Sequence, residues 1–276
     1  MKVDDATQMQ LDERFDILVS RPLAGRMART FHGWGFSADQ VSMVAMLSGV
    51  LAGVCMTGPS AWPVLGALLL VTMVVVDCAD GAVARLNPPS DRPWRGRMID
   101  GFADLGTLLS VHIAMVIVLA QRGITIGGYT LGGFEIFLIG VAGFLSFTWK
   151  SSVLDDMKQR LKPSSCDHRI EEYRSQKKNL FEKFLFFFFV WYVKNSEKLT
   201  GPGRPGGYET FRQVAVTGPT HHLVAIALCA LVAPIAPSVY LTYFLLTIGP
   251  GNLYLWFILA RARRHAADEA VEHVRR

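Results

Sequence analysis

Four aspartates in two neighbouring segments are spaced as pairs on the faces of two helices. Asp77 and Asp80 lie three residues apart at the end of one apolar run, and Asp100 and Asp104 lie four apart near the start of the next. Residues separated by three or four positions are neighbours on a helix surface. Consecutive membrane helices joined by a loop run antiparallel, so both pairs lie near the same membrane surface. The spacing therefore predicts that all four carboxylates converge on one small volume.

The chemistry of such a cluster follows from what is needed to hold it together. Mutual repulsion and partial loss of hydration oppose four adjacent carboxylates, and a bound divalent cation offsets both effects. Oxygen ligands without a nearby His or Cys cluster suit Mg²⁺ or Mn²⁺, which keep coordination positions open for substrate phosphates. The alternative is that small residues pack the helices together and that the aspartate side chains only extend to the polar membrane surface. Four aspartates at helical spacing favour the cation site.

Small residues and one arginine accompany the aspartates on the same helical stripes. Gly81, Ala84 and Arg85 continue the first stripe, and Gly96 opens the second. The small side chains leave room for a ligand to approach the backbone, and the guanidinium can neutralise a phosphate oxygen. The pattern predicts a site for a phosphate-containing ligand.

The elements that position these residues are predicted to be membrane-spanning helices. The chain has 276 residues, of which 51% are hydrophobic, and the excess lies in long runs that a soluble domain rarely contains. Each run is about long enough to cross a bilayer. The runs lie at roughly 41–57, 62–84, 101–120, 133–149, 221–237 and 239–260. The fold class expected is an all-α integral membrane protein with six transmembrane helices.

Basic residues indicate both a surface helix and the orientation of the chain. Residues 14–36 mix arginines with apolar side chains and end near Trp34 and Phe36. This is typical of an amphipathic juxtamembrane helix on the membrane surface, the alternative being a solvated arm. With six crossings, all of the 28 Lys and Arg residues except Arg122 fall on one side. The positive-inside rule then places both termini and the aspartates in the cytoplasm, at the inner membrane. The net charge of +5 is explained without a nucleic-acid partner.

One membrane domain is the simplest organisation of the chain. We expect a cytoplasmic arm and surface helix over 1–36, a six-helix membrane domain over 37–263 and a cytoplasmic tail over 264–276, with a cytoplasmic or interfacial insert at 150–220. Within the insert, the apolar segment Phe184–Val193 is too short to span a membrane. It is interpreted as the apolar part of an interfacial or re-entrant helix. This helix either lines a cleft that admits a lipid or only packs laterally, with no role in binding. The cysteines form no CxxC pair, and neither a disulfide framework nor a zinc site is predicted.

The aspartates and the residues around them resemble the signature of the CDP-alcohol phosphotransferase family, which is written DxxDGxxAR followed by GxxxDxxxD. The matching positions are Asp77, Asp80, Gly81, Ala84, Arg85, Gly96, Asp100 and Asp104. A surface helix followed by six membrane helices is also what the family implies. The gap between Arg85 and Gly96 is ten residues, which is longer than is usual in the family.

The resemblance implies a role for each matching residue. Asp77, Asp80 and Asp100 would hold two divalent ions, with Asp104 at the second, and the ions would grip the diphosphate of a CDP-alcohol. Asp104 would also take the proton from the acceptor hydroxyl as that hydroxyl attacks phosphorus, and CMP would leave. The residues that would line the cytidine diphosphate site are Asp80, Gly81, Ala84, Arg85 and Gly96. The partners implied are a CDP-alcohol, a hydroxyl acceptor, membrane lipids and a second copy of the chain in a homodimer.

The signature does not identify the donor or the acceptor. The leading interpretation is CDP-diacylglycerol, which transfers phosphatidyl to a small hydroxyl acceptor in phospholipid biosynthesis. A choline- or ethanolamine-phosphotransferase with a lipid acceptor is the second. Arg97, Lys150 and Arg160 are candidate contacts for an acceptor phosphate, and each also suits a positive-inside anchor.

Two other classes of membrane protein also bury aspartates. A secondary transporter would usually show two related halves. A membrane prenyltransferase would carry two similar and well-separated aspartate motifs. Neither pattern is visible in the sequence, which favours the phosphotransferase.

Overall fold

The computed structural model describes residues 11–87, 93–161, 179–187, 189–190 and 207–275, and these are almost entirely helical. The helices are α1 Arg21–Gly33, α2 Ala38–Met56, α3 Trp62–Leu86, α4 Pro93–Arg122, α5 Gly133–Leu161, α6 Tyr208–Val214, α7 Pro219–Val232, α8 Val239–Ile248 and α9 Pro250–Arg275. A π-helix over Asp16–Ser20 leads into α1, and a 3-10 turn over Ala215–Thr217 joins α6 to α7. Between α4 and α5, the short strands β1 Thr125–Ile126 and β2 Tyr129–Thr130 pair antiparallel.

Six helical stretches in the described part of the chain are long and apolar enough to cross a membrane. They are Ala38–Met56, Trp62–Leu86, Arg95–Arg122, Gly133–Leu161, Tyr208–Val232 and Val239–Arg264. The prediction of an all-α membrane protein with six transmembrane helices is therefore confirmed. The fifth stretch consists of α6 and α7, and the sixth consists of α8 and the first half of α9.

The chain is helical from residue 14 to residue 33, where the sequence predicts a surface helix, and its location at the membrane surface stays a prediction. One face of α1 packs Ala24 and Ala28 against α3, and both side chains are buried. Leu23 and Trp34 remain exposed, and so does the neighbouring Arg26. Exposed apolar and basic side chains on one short helix are typical of a helix at the membrane surface.

Two of the membrane helices extend beyond their apolar runs. α5 continues to Leu161 because Val153, Leu154 and Met157 repeat at helical spacing and pack against α6 and α9. The fifth stretch begins at Tyr208 rather than at residue 221. A run of apolar residues therefore underestimates a helix whose end is amphipathic rather than uniformly apolar.

Glycines let α2 approach α4 closely. A Cβ atom added at Gly49 would overlap the Thr107 side chain, and one added at Gly53 would lie 2.8 Å from the backbone carbonyl carbon of Ser110. Small residues at a helix interface allow backbones to come together in a membrane, where burial of apolar surface does not drive association. The close contacts at Gly49 and Gly53 hold α2 against α4, and α2 also packs along α3.

The segment before α1 is fastened to the start of α7 by Glu13. The Glu13 carboxylate accepts hydrogen bonds from the backbone N–H groups of Thr220 and His221, at 3.1 and 3.0 Å, and lies 2.6 Å from His221 Nδ1. The first N–H groups of a helix have no partner within the helix, and a carboxylate there also complements the helix dipole. Asp16 adds a second contact by accepting a hydrogen bond from the Thr220 hydroxyl at 3.0 Å.

Candidate active site

Three of the four aspartates form a compact cluster between α3 and α4. Asp77, Asp80 and Asp100 each offer a carboxylate oxygen, and these oxygens all lie within 4.8 Å of one another. Each side chain is partly buried. From this spacing, small side-chain rotations bring one oxygen of each residue to a common divalent cation.

The cluster has the properties that a cation site requires. Asp77 Oδ1 is buried and has no hydrogen-bond partner among the described residues. Buried polar atoms are normally partnered, so an orphaned carboxylate oxygen beside two further carboxylates calls for a positive ligand. The donors are oxygens only, which suits a hard ion such as Mg²⁺ or Mn²⁺. The residues present therefore fit a divalent metal ion.

Asp80 is oriented by a residue of a third helix. Ser42 Oγ, on α2, lies 2.5 Å from Asp80 Oδ2 and donates a hydrogen bond to it. Ser42 is 3% exposed, so this bond is shielded from water. Asp39 lies one turn earlier on α2 and forms an ion pair with Arg95, at 3.4 Å. The N-terminal end of α2 is thus a third wall of the site.

Asp104 lies one turn beyond Asp100 on α4 and is exposed. It is not one of the three residues whose oxygens cluster most closely. Its charge nevertheless acts on Asp77 and on Asp100, so it belongs to the same electrostatic site. An exposed carboxylate beside the cluster is accessible to a substrate hydroxyl.

The two glycines of the signature have little packed around them in the described part of the chain. A Cβ atom added at Gly81 would meet only Arg85 Nη1 among the described residues, at 3.6 Å, and one added at Gly96 would meet Asp39 Oδ1 at 3.5 Å. Ala84 and Arg85 are exposed. The stripe from Gly81 to Arg85 is therefore uncovered by the described part of the chain, as a ligand-binding surface must be.

The candidate acceptor contacts occupy three different environments. Arg97 lies 3.9 Å from Asp155 and stacks over the Phe189 ring, 5.6 Å from its centroid. Arg160 pairs with Asp156 of the preceding turn at 2.8 Å. Only Arg97 lies on α4, three residues from Asp100 and so beside it on the helix surface.

Lys150 is completely buried, with 0% exposure. Its ammonium group donates hydrogen bonds to Ser146 Oγ at 2.9 Å and to the Thr247 carbonyl oxygen at 2.6 Å. In this structure the side chain therefore connects α5 to the end of α8. Its predicted role in acceptor binding stays a prediction.

Three residues near the cluster were not found from the sequence, namely Ser42, Asp39 and Asp155. Asp155 interacts electrostatically with both Asp100 and Asp104 and accepts a hydrogen bond from Gln159 at 2.6 Å. The helical periodicity of residues 150–161 was the available signal for Asp155. Ser42 had no signal of its own, because its contact joins residues 38 positions apart in sequence.

A helical segment over 180–187 covers the beginning of α4. Asn179 and Glu182 form reciprocal side chain-to-backbone hydrogen bonds, of 2.8 and 3.0 Å, that start this helix. Leu185 then packs against Met98 and Ile99 of α4. The predicted interfacial segment Phe184–Val193 is therefore helical in its first part, and residues 188 and 191–193 lie outside the described residues. Its role in lipid binding stays a prediction.

Six stretches that could cross a membrane and a partly buried acidic cluster between α3 and α4 define an integral membrane protein with a candidate metal centre. Residues 36–152 match the family model described as CDP-alcohol phosphatidyltransferase, a range that contains α2, α3, α4 and most of α5. The chain therefore carries a domain that matches the CDP-alcohol phosphatidyltransferase family. No curated protein and no solved structure matches the chain.

The family match indicates the enzyme class of the matched domain. Family members are transferases of substituted phosphate groups, and they move a phosphatidyl group from a CDP-alcohol to an alcohol acceptor. The family is also generally dependent on divalent metal ions. The matched domain is therefore that of a transferase of substituted phosphate groups.

Proposed function

We propose that the protein transfers phosphatidyl from CDP-diacylglycerol to a small hydroxyl acceptor, with release of CMP, in phospholipid biosynthesis. The observation that carries this proposal is the convergence of Asp77, Asp80 and Asp100 around an unpartnered buried oxygen, inside the family domain. A diphosphate donor bound through divalent ions is the ligand that such a cluster accommodates.

The donor would be held between α3 and α4. Asp77, Asp80 and Asp100 would hold divalent ions such as Mg²⁺ or Mn²⁺, and Asp104 would contribute to holding a second ion. When bound, these ions supply positive charge that neutralises the diphosphate and stabilises the charge that develops on the leaving group. Arg85 donates hydrogen bonds to a phosphate oxygen. The open stripe of small residues accommodates the cytidine diphosphate, with contacts from Gly81, Ala84 and Gly96 in addition to Asp80 and Arg85.

The chemical step would use Asp104 as a general base. Its exposed carboxylate accepts the proton of the acceptor hydroxyl, and the hydroxyl oxygen forms a bond to the phosphorus of the phosphatidyl group. The bond from that phosphorus to the oxygen of the CMP phosphate breaks, and CMP leaves with the electron pair. Asp155 and Arg97 lie beside Asp104 and Asp100, so the acceptor would bind in this region.

The same site would face the cytoplasm at the inner membrane. Arg85, Arg95 and Arg97 lie at the end of α3 and the start of α4, where the aspartates are, whereas Arg122 lies at the other end of α4. The asymmetry of these short loops supports a cytoplasmic location for the site and for both termini. Membrane lipids would surround the helices, and the active unit would be a homodimer.

The test is a transfer assay with the purified protein in detergent. We expect CMP release from CDP-diacylglycerol in the presence of Mg²⁺ or Mn²⁺ and a mixture of hydroxyl acceptors, loss of release with EDTA, and a new headgroup lipid detected by mass spectrometry. Asp104→Asn should lower the rate by about 10²–10⁴-fold, as expected for loss of a general base. Glu135→Gln is the matched control, because Glu135 lies at the start of α5, at the opposite membrane surface.

Product formed from CDP-choline and diacylglycerol, with none from CDP-diacylglycerol, would replace the proposed donor by the choline-type donor. An unchanged rate in Asp104→Asn would remove this residue as the base. The absence of CMP release from any CDP-alcohol would contradict the proposed function as a whole.

A further inference from the structure

We propose that Ser42 is a positioning residue that orients the Asp80 carboxylate for binding of the divalent ion. This inference rests on the proposed metal site. Its first support is the hydrogen bond from Ser42 Oγ to Asp80 Oδ2, at 2.5 Å, between residues of different helices. Hydrogen bonds to a charged acceptor are shorter and stronger than those between neutral groups.

The effect of this bond on Asp80 follows from its geometry. The terminal torsion of an aspartate is broad, so an unrestrained carboxylate rotates freely and loses that freedom when it binds an ion. Ser42 donates its hydrogen bond to Asp80 Oδ2 and makes none to Asp80 Oδ1. The bond thus restricts rotation of the carboxylate before an ion binds. Partners that orient metal ligands in this way typically contribute 10–100-fold to metal affinity or activity.

Ser42 is itself held on a rigid support. The α2 helix begins with reciprocal hydrogen bonds between Ser37 and Gln40, at 2.9 and 3.3 Å. The ion pair between Asp39 and Arg95 joins this end of α2 to the start of α4. Further along, Gly49 and Gly53 hold α2 close to α4. A hydroxyl on such an element has little freedom to move away from Asp80.

The competing explanation is that Ser42 only contributes to helix packing. Its Oγ also lies 3.2 Å from the Ala38 carbonyl oxygen, one turn earlier on α2, and a serine has a single hydroxyl proton to donate. The carboxylate is nearer, at 2.5 Å, and carries the charge, so the proton is directed to Asp80. A packing role would affect stability alone, whereas an orienting role affects the affinity for the ion.

The chain offers a matched control for this distinction. Ser110 is a partly buried serine on α4 whose hydroxyl donates to the Val50 carbonyl oxygen of α2 at 3.1 Å. It joins α2 to a neighbouring helix, as Ser42 does, but it contacts no carboxylate in the described structure. Ser110→Ala therefore removes an interhelical serine bond without touching the acidic cluster.

The experiment measures Mn²⁺ binding by electron paramagnetic resonance, with no nucleotide or lipid substrate, together with thermal unfolding in detergent. Ser42→Ala should raise the dissociation constant for Mn²⁺ by about 10–100-fold, and Ser42→Thr should restore it to within about threefold of wild type. Ser110→Ala should leave the dissociation constant unchanged. If Ser42→Ala does not fold, the Ser42→Cys variant tests the same role. Cysteine has a similar volume to serine but is a weak hydrogen-bond donor, so this variant should also bind Mn²⁺ less tightly than the wild type.

The outcomes separate this inference from the proposed function. Wild-type affinity in a folded Ser42→Ala or Ser42→Cys variant, with binding lost in Asp80→Asn, would overturn the role of Ser42 and leave the metal site intact. An absence of Mn²⁺ binding in the wild type would overturn both. Weakened binding in Ser42→Ala without any CMP release from CDP-diacylglycerol in the wild type would contradict the proposed donor and support the role of Ser42.

Discussion

Lys150 Nζ lies 2.6 Å from the carbonyl oxygen of Thr247, at the break in the sixth membrane stretch. The α8 helix ends at Ile248, and α9 begins at Pro250, which has no N–H group to donate. The last carbonyl groups of α8 therefore need donors from elsewhere, and within a membrane water cannot supply them. Lys150 provides such a donor to the Thr247 carbonyl oxygen. The Ser146 hydroxyl lies 3.0 Å from the same oxygen but nearer to Asn252 Oδ1, at 2.7 Å.

Replacing Lys150 by Met should destabilise the protein. The substitution keeps an apolar stem but removes the charged donor, so the Thr247 carbonyl loses the hydrogen bond from Lys150. We expect the free energy of unfolding to fall by about 1–3 kcal/mol. The measurement is denaturant-induced unfolding in mixed micelles.

The control for this prediction is Lys158→Met, two turns later on the same helix. Lys158 pairs with Asp12 at 3.6 Å, but Asp12 keeps a second partner, Arg21, at 2.7 Å. The loss there should stay below about 1 kcal/mol. Lys150→Met could instead leave stability unchanged and raise the KM for a phosphorylated acceptor. In that case Lys150 is an acceptor contact, and its proposed role as a hydrogen-bond donor to the end of α8 is wrong.

A second prediction concerns the contribution of the close packing of α2 against α4 to stability. At Gly53 an added methyl group would collide with the Ser110 backbone, which cannot rotate away as a side chain can. Gly53→Ala should therefore destabilise the protein by about 1–3 kcal/mol. At Gly101 an added methyl group meets nothing within 4 Å, so Gly101→Ala should be neutral or slightly stabilising in thermal unfolding. Equal effects of the two substitutions would contradict the close approach of the helices.

The environment of Asp16 predicts that the stability of the protein depends on pH. Burial, and then the neighbouring charge of Glu13, raises the pKa of the Asp16 carboxyl above its ordinary value of 3.8. The folded state thus binds more protons than the unfolded state from pH 3.8 upward, and the contribution of Asp16 to stability falls as the pH rises.

The measurement for this prediction compares wild type with Asp16→Asn across the pH range from 3.8 to neutrality. The amide retains an oxygen for the Thr220 hydroxyl but does not titrate. The difference in unfolding free energy between variant and wild type should increase in favour of the variant as the pH rises. Parallel curves would show that Asp16 does not titrate differently in the folded state.

Arg85 should control the affinity for the CDP donor. It is exposed on the open stripe beside Gly81, where a diphosphate would lie. Arg85→Ala should raise the KM for the donor by about 10–100-fold, because a charged hydrogen bond contributes about 1.5–3 kcal/mol. Arg85→Lys should recover part of this loss, since lysine keeps the charge but not the forked geometry. Arg122→Ala, at the other end of α4, should leave the KM unchanged.

The features that the sequence predicted correctly are those with a local periodic signal. Apolar runs of bilayer length located all six membrane stretches, and three of the four aspartates spaced at three and four residues do meet. Helix ends were less accurate because α5 continues as an amphipathic rather than an apolar helix beyond residue 149. Contacts between distant segments, such as Ser42 with Asp80, depend on the packing of α2 against α3 and have no local pattern to reveal them.

The same limit explains Lys150 and the N-terminal segment. A lysine at the end of an apolar run has the pattern of a membrane-surface anchor, and only the break between α8 and α9 creates a buried carbonyl for it to bind. Likewise, Glu13 caps a helix that begins at Pro219, about 200 residues later in the chain. Such partners are set by tertiary structure, which spacing along the chain does not encode.

The proposed function requires Asp77, Asp80 and Asp100 to bind a divalent cation together. The most direct measurement is an anomalous difference map from crystals grown with Mn²⁺ and collected near the manganese absorption edge. We expect a peak between α3 and α4, within about 2.5 Å of an oxygen from each of the three aspartates. Ordered carboxylates in a map without a peak between them would contradict the claim, as would a Mn²⁺ peak elsewhere in the protein and none at this cluster.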